Sequence, residues 1–267
     1  MSRHTVSSPK VSSLRRARRA HDAMAALLVA ALDACLAARP APAAGLSLAW
    51  QDCRTAGSVA ANNAAFGCAV DIQEIPLFPS FTLAAAIDSV YSMELVIDVD
   101  VDADPLPAWW HMEPGGCRAN AWTADAALAG SCTDGWNGRG NAAFQGWIPG
   151  TPAGASPGRH ARLLVAAGVL AADAVHLDAN VPYTACRVLL RTVNTVACND
   201  GCATPACMVF NSLLIRRLHL PSDEEVFLSG PEVGGSDRVV WQGGVGADCQ
   251  AVPVRRTTWG AVKALYR

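Results

Sequence analysis

Ten cysteines in a chain of 267 residues constrain this protein more than any other feature. A reducing compartment rarely keeps so many thiols unless they hold metal, whereas an oxidising one joins them in pairs. Zinc requires four ligands at characteristic short spacings. Cys198-Asn-Asp-Gly-Cys202, with Cys207 nearby, begins such a set, but no second spaced pair follows and neither His176 nor His219 completes it. The cysteines therefore read as disulfides. Nearness in sequence suggests Cys53 with Cys68 and Cys117 with Cys132, each closing a short loop worth about 3 kcal/mol in chain entropy. Cys198 would then join Cys202, and Cys207 would join Cys186 or Cys249. One thiol beyond residue 43 is left over, and burial is its expected fate.

An oxidising compartment agrees with the start of the chain. Arg15, Arg16, Arg18 and Arg19 precede an apolar run from Ala23 to Leu32, which Asp33 ends, and a small-residue site follows at Ala41-Pro42-Ala43. That order is the pattern of an export signal, cleaved after Ala43. The run has about half of the roughly 20 residues that a membrane-spanning helix needs. Leu32-Asp33-Ala34-Cys35 also resembles a lipoprotein processing box, although aspartate fits it poorly, and Arg15-Arg16 a twin-arginine signal. Without residues 1–43 the chain keeps 14 basic and 21 acidic residues, a net charge of about −7. Such a surface repels phosphate backbones and anionic lipid, so nucleic-acid and membrane-surface partners are disfavoured. The expected location is the periplasm or the exterior.

The remaining sequence is punctuated like an all-β protein. From Tyr91 to Val101 the residues alternate, with Tyr91, Met93, Leu95, Ile97, Val99 and Val101 on one face and Ser92, Glu94, Val96, Asp98 and Asp100 on the other. Period two with one wet face predicts an antiparallel strand over a core. Further strands are expected at 46–50, 80–83, 118–123, 142–148, 161–169, 184–193, 208–218, 225–228 and 238–242, separated by Gly, Pro, Asn and Asp. Modest helices are expected only at Ala172–Leu177 and Trp259–Tyr266. This pattern predicts a disulfide-stapled antiparallel β-sandwich of jelly-roll or immunoglobulin/cohesin-like type over residues 44–220. Residues 221–267 would form an appendage ending in a short docked helix.

Two constellations invite chemistry. Asp98, Asp100 and Asp102 on one strand face lie about 7 Å apart and repel one another, which a calcium ion would relieve. One straight strand cannot supply six to eight converging oxygens, and Ala103 and Trp109 stand where a calcium loop needs glycine and glutamate. The expected state is a solvated face that discourages edge pairing, with calcium as the sole candidate cofactor. Trp109-Trp110 follows Pro105-Leu106-Pro107, which would end a strand and lift both indoles into a loop as a platform for a sugar ring. Catalysis has little support: there is no Gly-x-Ser-x-Gly elbow, His-Glu-x-x-His helix or phosphate loop, and His111, His160, His176 and His219 are far apart in sequence.

Trp50-Gln51-Asp52-Cys53, Leu106-Pro107-Ala108-Trp109-Trp110, the run from Cys202 to Asn211, and the ending Thr257-Thr258-Trp259-Gly260-Ala261-Val262-Lys263-Ala264-Leu265-Tyr266-Arg267 resemble a group of secreted bacterial β-sandwich proteins whose function is unknown. The likeness spans nearly all of the chain beyond residue 43 and implies export and an all-β fold. Asp104-Pro105-Leu106 is also faintly similar to a turn of cohesin-type sandwiches. The expectation is an exported, non-catalytic binding or structural protein of the periplasm or cell surface, with a glycan or protein ligand. The alternative is a carbohydrate-binding module or a carbohydrate-active hydrolase on a jelly-roll scaffold.

Overall fold

The computed structural model describes residues 44–53, 62–69, 71, 73–128, 130, 132–151, 158–218, 224–232 and 235–243. The expected signal segment, Cys249, His219 and the expected C-terminal helix lie outside these residues. Thirteen strands follow in order: β1 (Gly45–Trp50), β2 (Asn63–Ala64), β3 (Glu74–Thr82), β4 (Ile87–Val101), β5 (Trp122–Asp125), β6 (Asn141–Pro149), β7 (His160–Gly168), β8 (Val175–Leu177), β9 (Tyr183–Thr184), β10 (Arg187–Arg191), β11 (Ala206–Arg217), β12 (Glu224–Ser229) and β13 (Arg238–Trp241). There is no α-helix among the described residues. No described helix is long and apolar enough to cross a membrane.

The strands form two sheets. One has the order β1-β3-β10-β5, with β9 also on β3; the other has the order β2-β13-β11-β4-β7-β6, with β12 on β11 and β8 on β4. All pairings within the sheets are antiparallel except the short β13–β2 pair. Leu46, Leu48, Ile75, Leu77, Val188 and Leu190 from the first sheet join Met93, Leu95, Ile97, Val99, Leu163, Val165, Met208 and Phe210 from the second in one buried core. The chain is an all-β sandwich.

β3 is longer than its sequence suggests, because Pro76 and Pro79 argue against a central strand. Both prolines lack a donor but keep their carbonyls, which accept from the backbone N–H groups of Gln51 (2.8 Å) and Ala185 (3.1 Å). The expected helix at Ala172–Leu177 is instead one 3-10 turn, Ala171–Asp173, followed by β8. The expected boundary at residue 221 does not separate an appendage: β12 and β13 both pair with β11 and complete the second sheet. Gly45 lets this part of the chain close against β1, since a Cβ there would lie 2.3 Å from the backbone nitrogen of Glu232. The resulting contact carries hydrogen bonds from Leu46 N–H to Gly230 O (2.9 Å) and from Glu232 N–H to Leu46 O (3.1 Å).

Among the described residues three disulfides cross the fold: Cys53–Cys132, Cys68–Cys202 and Cys117–Cys198. The expected local pairs Cys53–Cys68, Cys117–Cys132 and Cys198–Cys202 are thereby corrected. The reason is strand order. β2 lies beside β13, which lies beside β11, so the chain after β2 meets the chain before β11 and Cys68 reaches Cys202. Cys207 is also disulfide-bonded. Cys186, one of its two expected partners, is buried and free, and burial pushes its thiol far up from the ordinary range.

Candidate functional site

The tryptophans, the first candidates for ligand contact, are interior groups. All seven described indoles are buried, Trp109 and Trp110 completely, so the expected exposed pair is corrected. Pro107 does end the extended segment, but the 3-10 turn Ala108–Trp110 that follows is held down by Trp109 N–H donating to Asp200 O (2.9 Å). Both rings therefore turn inward. Trp109 lies 4.7 Å from Trp241 and 4.8 Å from Trp110 between ring centroids, and contacts continue from Trp110 to Trp147 (6.3 Å), Trp147 to Trp122 (6.2 Å) and Trp241 to Trp50 (6.1 Å). Phe66 stacks on Trp241 at 4.8 Å. Such a set of stacked, tilted and edge-on rings buries a large apolar area while respecting ring quadrupoles.

Arg118 closes one side of this cluster. Its guanidinium carbon sits 3.8 Å from the Trp109 ring centroid, and its nitrogens donate to the carbonyls of Val193, Trp109 and Arg191. Desolvation lowers its pKa to about 10, partly opposed by the charge of Asp71. It remains a cation at neutral pH, held by three carbonyls and a π face. No pattern in the sequence marks it.

The aspartate row is a second correction. Asp98 is completely buried and Asp100 nearly so. Arg162 grips Asp98 with two bonds, Nε to Oδ1 at 2.7 Å and Nη2 to Oδ2 at 3.0 Å, and the Asn211 side-chain amide donates to Oδ2. Asn211 sits at an irregularity in the β11–β4 register, between Phe210 and Ser212, where a bulge re-aims a side chain. Arg159 Nε donates to Asp100 Oδ1 (2.8 Å), and His160 Nε2 lies 3.5 Å from the same oxygen. Asp102, which is half exposed, is 3.8 Å from Arg159 Nη2. At Asp98 and Asp100 the row is thus not a solvated face, because guanidinium groups from β7 and the segment before it engage the carboxylates, whereas Asp102 is exposed as expected. A signal existed in His160 and Arg162, two polar residues at period two inside an apolar strand and preceded by Arg159, complementary to the aspartates.

Metal-ligand spacing among the described residues occurs once, at Asp52, Cys53 and Cys132. The two sulfurs there are joined to each other, so neither offers a thiolate. Each described histidine faces carboxylate: His111 Nδ1 meets Glu113 at 2.8 Å, His160 meets Asp100, and His176 bridges Asp88 (2.5 Å) and Asp178 (3.2 Å). The hydrogen bond to Asp88, then that to Asp178, raises the pKa of His176 above its ordinary 6.5. Its contribution to stability is present below 6.5 and disappears as pH rises through the higher folded value. In an NMR titration the His176 ring is expected to titrate above 6.5, and in Asp88→Asn to move back towards it.

Two concave surfaces lie elsewhere: one is lined by Asp71, Gln73, Glu74, Arg191 and Val193, and the other is on the outer face of the second sheet near the start of β4. Cross-strand register places Ser92, Gly168 and Asn141 in one row, and Glu94, Ala166 and Ala143 in the next. Gly168 and the two alanines form a low floor between taller polar side chains, and Gln145, at an irregularity in the β6–β7 register, stands at the end. The hollow has a volume of about 420 Å³, and a second one lined by Glu94, Gln145 and Ala166 continues it. Arg216 contacts Glu94 (3.0 Å) and Glu225 (3.3 Å) along its β11 side. No motif marks this hollow in the sequence, because its floor comes from two strands, β6 and β7, that meet only in the sheet.

The fold and these sites define a disulfide-stapled β-sandwich with a buried indole cluster, a buried ion-pair network and one open tray on its outer face. No protein-family model matches the chain, and neither a curated protein nor a solved structure matches it.

Proposed function

We propose that the protein is an exported, non-catalytic binding protein of the periplasm or cell surface that holds a glycan on the tray formed by β4, β7 and β6. The observation that carries this reading is the combination of a floor without bulky side chains and a rim of Ser92, Glu94, Asn141 and Gln145, which offers donors and acceptors to hydroxyl groups. The disulfides and the absence of a long apolar helix among the described residues are compatible with export. The charged groups of the interior are already engaged with one another, which favours binding or a structural role over catalysis.

A glycan array probed with the oxidised protein tests the proposal. Bound saccharides are expected to be lost when Ala143, an exposed floor residue, is changed to Trp, and weakened by Gln145→Ala. Binding that survives Ala143→Trp places the ligand elsewhere. An array without any bound saccharide favours the purely structural role.

A further inference from the structure

Phe227 is one of the few large apolar side chains among the described residues that meet solvent, with 43% of its surface exposed. A single exposed apolar residue is ordinary on a protein surface. Its position is not, because cross-strand register carries it into the tray. Phe227 of β12 pairs with Leu214 of β11, Leu214 with Glu94 of β4, Glu94 with Ala166 of β7, and Ala166 with Ala143 of β6. Residues directly opposite one another share a face of the sheet. Leu213, Ile215 and Leu228, the chain neighbours of this row, belong to the core between the sheets, so the row itself stands on the outer face. Neighbouring strands lie about 4.8 Å apart, which sets Phe227 roughly 19 Å from Ala143 across the sheet. Beside it runs the row of Glu225, Arg216, Ser92, Gly168 and Asn141.

The charge of this strip is concentrated between Phe227 and the tray floor. Arg216 is shared by Glu94 Oε1 at 3.0 Å and Glu225 Oε1 at 3.3 Å. Two carboxylates therefore face one guanidinium, and one negative charge is left over. Among the described residues no lysine, arginine or histidine lines the hollow or its continuation. A ligand bringing a carboxylate, sulfate or phosphate there would be repelled, whereas one bringing an ammonium group would gain a charge-assisted hydrogen bond.

We infer that the tray extends over β11 to Phe227, and that its ligand is a linear oligosaccharide containing an amino sugar, which lies across the strands with one ring stacked on Phe227 and an ammonium group at Glu94. The inference rests on the glycan reading and narrows it. The face of Phe227 takes the C–H side of a sugar ring, and the low floor at Ala166 and Ala143 takes the rings that follow, within reach of the Asn141 and Gln145 amides. Arg216 is a positioning residue, which holds the Glu94 carboxylate at the border of the floor.

The test is calorimetric titration of the oxidised full chain with a linear tetrasaccharide of glucosamine and with its N-acetylated counterpart, which lacks the charge. The glucosamine chain is expected to bind about tenfold more tightly, and added salt should shrink the difference. Glu94→Gln should abolish the preference and leave the affinity for the N-acetylated chain unchanged. Phe227→Ala should weaken both by about tenfold, while Phe227→Tyr, which keeps the ring, should bind as the parent does. Failure of either tetrasaccharide to bind, equal affinity for the two, a preference that persists in Glu94→Gln, or full affinity in Phe227→Ala overturns this inference. The glycan reading survives each of these results so long as saccharides held on the array are lost in Ala143→Trp. An array without any bound saccharide overturns both.

Discussion

Replacing Cys68 and Cys202 together by alanine is expected to lower the unfolding free energy by about 4 kcal/mol. The two cysteines are 134 residues apart in sequence, but Cys53–Cys132 and Cys117–Cys198 together shorten the path between them to roughly 37 residues. Chain entropy then assigns about 4 kcal/mol to the closure. The surroundings add to the effect. The Gln242 side-chain amide donates to Phe66 O (2.9 Å) and Cys202 O (3.1 Å), its oxygen accepts from Phe66 N–H (2.9 Å), and Trp241 Nε1 donates to Cys202 O (2.8 Å). Loosening the bridge therefore loosens the Phe66–Trp241 stack. Urea denaturation followed by tryptophan fluorescence would read both, and a loss below about 1 kcal/mol would mean that this bridge is not a principal tie of the fold.

The second large effect concerns a charge. Arg162→Leu leaves the Asp98 carboxylate completely buried with only the Asn211 amide, and breaking a buried pair in this way costs about 3–5 kcal/mol. Asp98→Leu combined with Arg162→Leu removes both charges and should recover most of that loss, because the pair gains little beyond repaying its own desolvation. The two single variants and the double variant form a cycle whose interaction energy is read from denaturant midpoints. Equal losses in the single and the double variants would show that the geometry of the pair, and not its charge balance, is what the fold requires.

How much of this was legible depended on the range over which each feature is decided. The alternation from Tyr91 to Val101 is a local property, and β4 forms there because period two places Met93, Leu95, Ile97 and Val99 on the core side wherever the strand is laid down. Sequence reasoning also recognised β1, β6, β7, β11, β12 and β13 to within a few residues. Partners were a different matter. Asp98 looks solvated until Arg162, sixty-four residues away, is laid beside it in register. Trp109 and Trp110 look exposed until Asp200 is known to hold their turn. The cysteines fail for the same reason, since nearness along the chain says nothing about which loops strand order gathers at one end. The tray, made of glycine and alanine from separate strands, had no motif to find.

The central claim is that cross-links between loops distant in sequence staple this sandwich. Proteolytic mapping of the natively purified protein, alkylated without reduction, tests it most directly. The account predicts peptides joined as Cys53–Cys132, Cys68–Cys202 and Cys117–Cys198, with Cys186 alkylated only after unfolding. Peptides joined as Cys53–Cys68 and Cys117–Cys132, or these thiols alkylated in the folded protein, would contradict it.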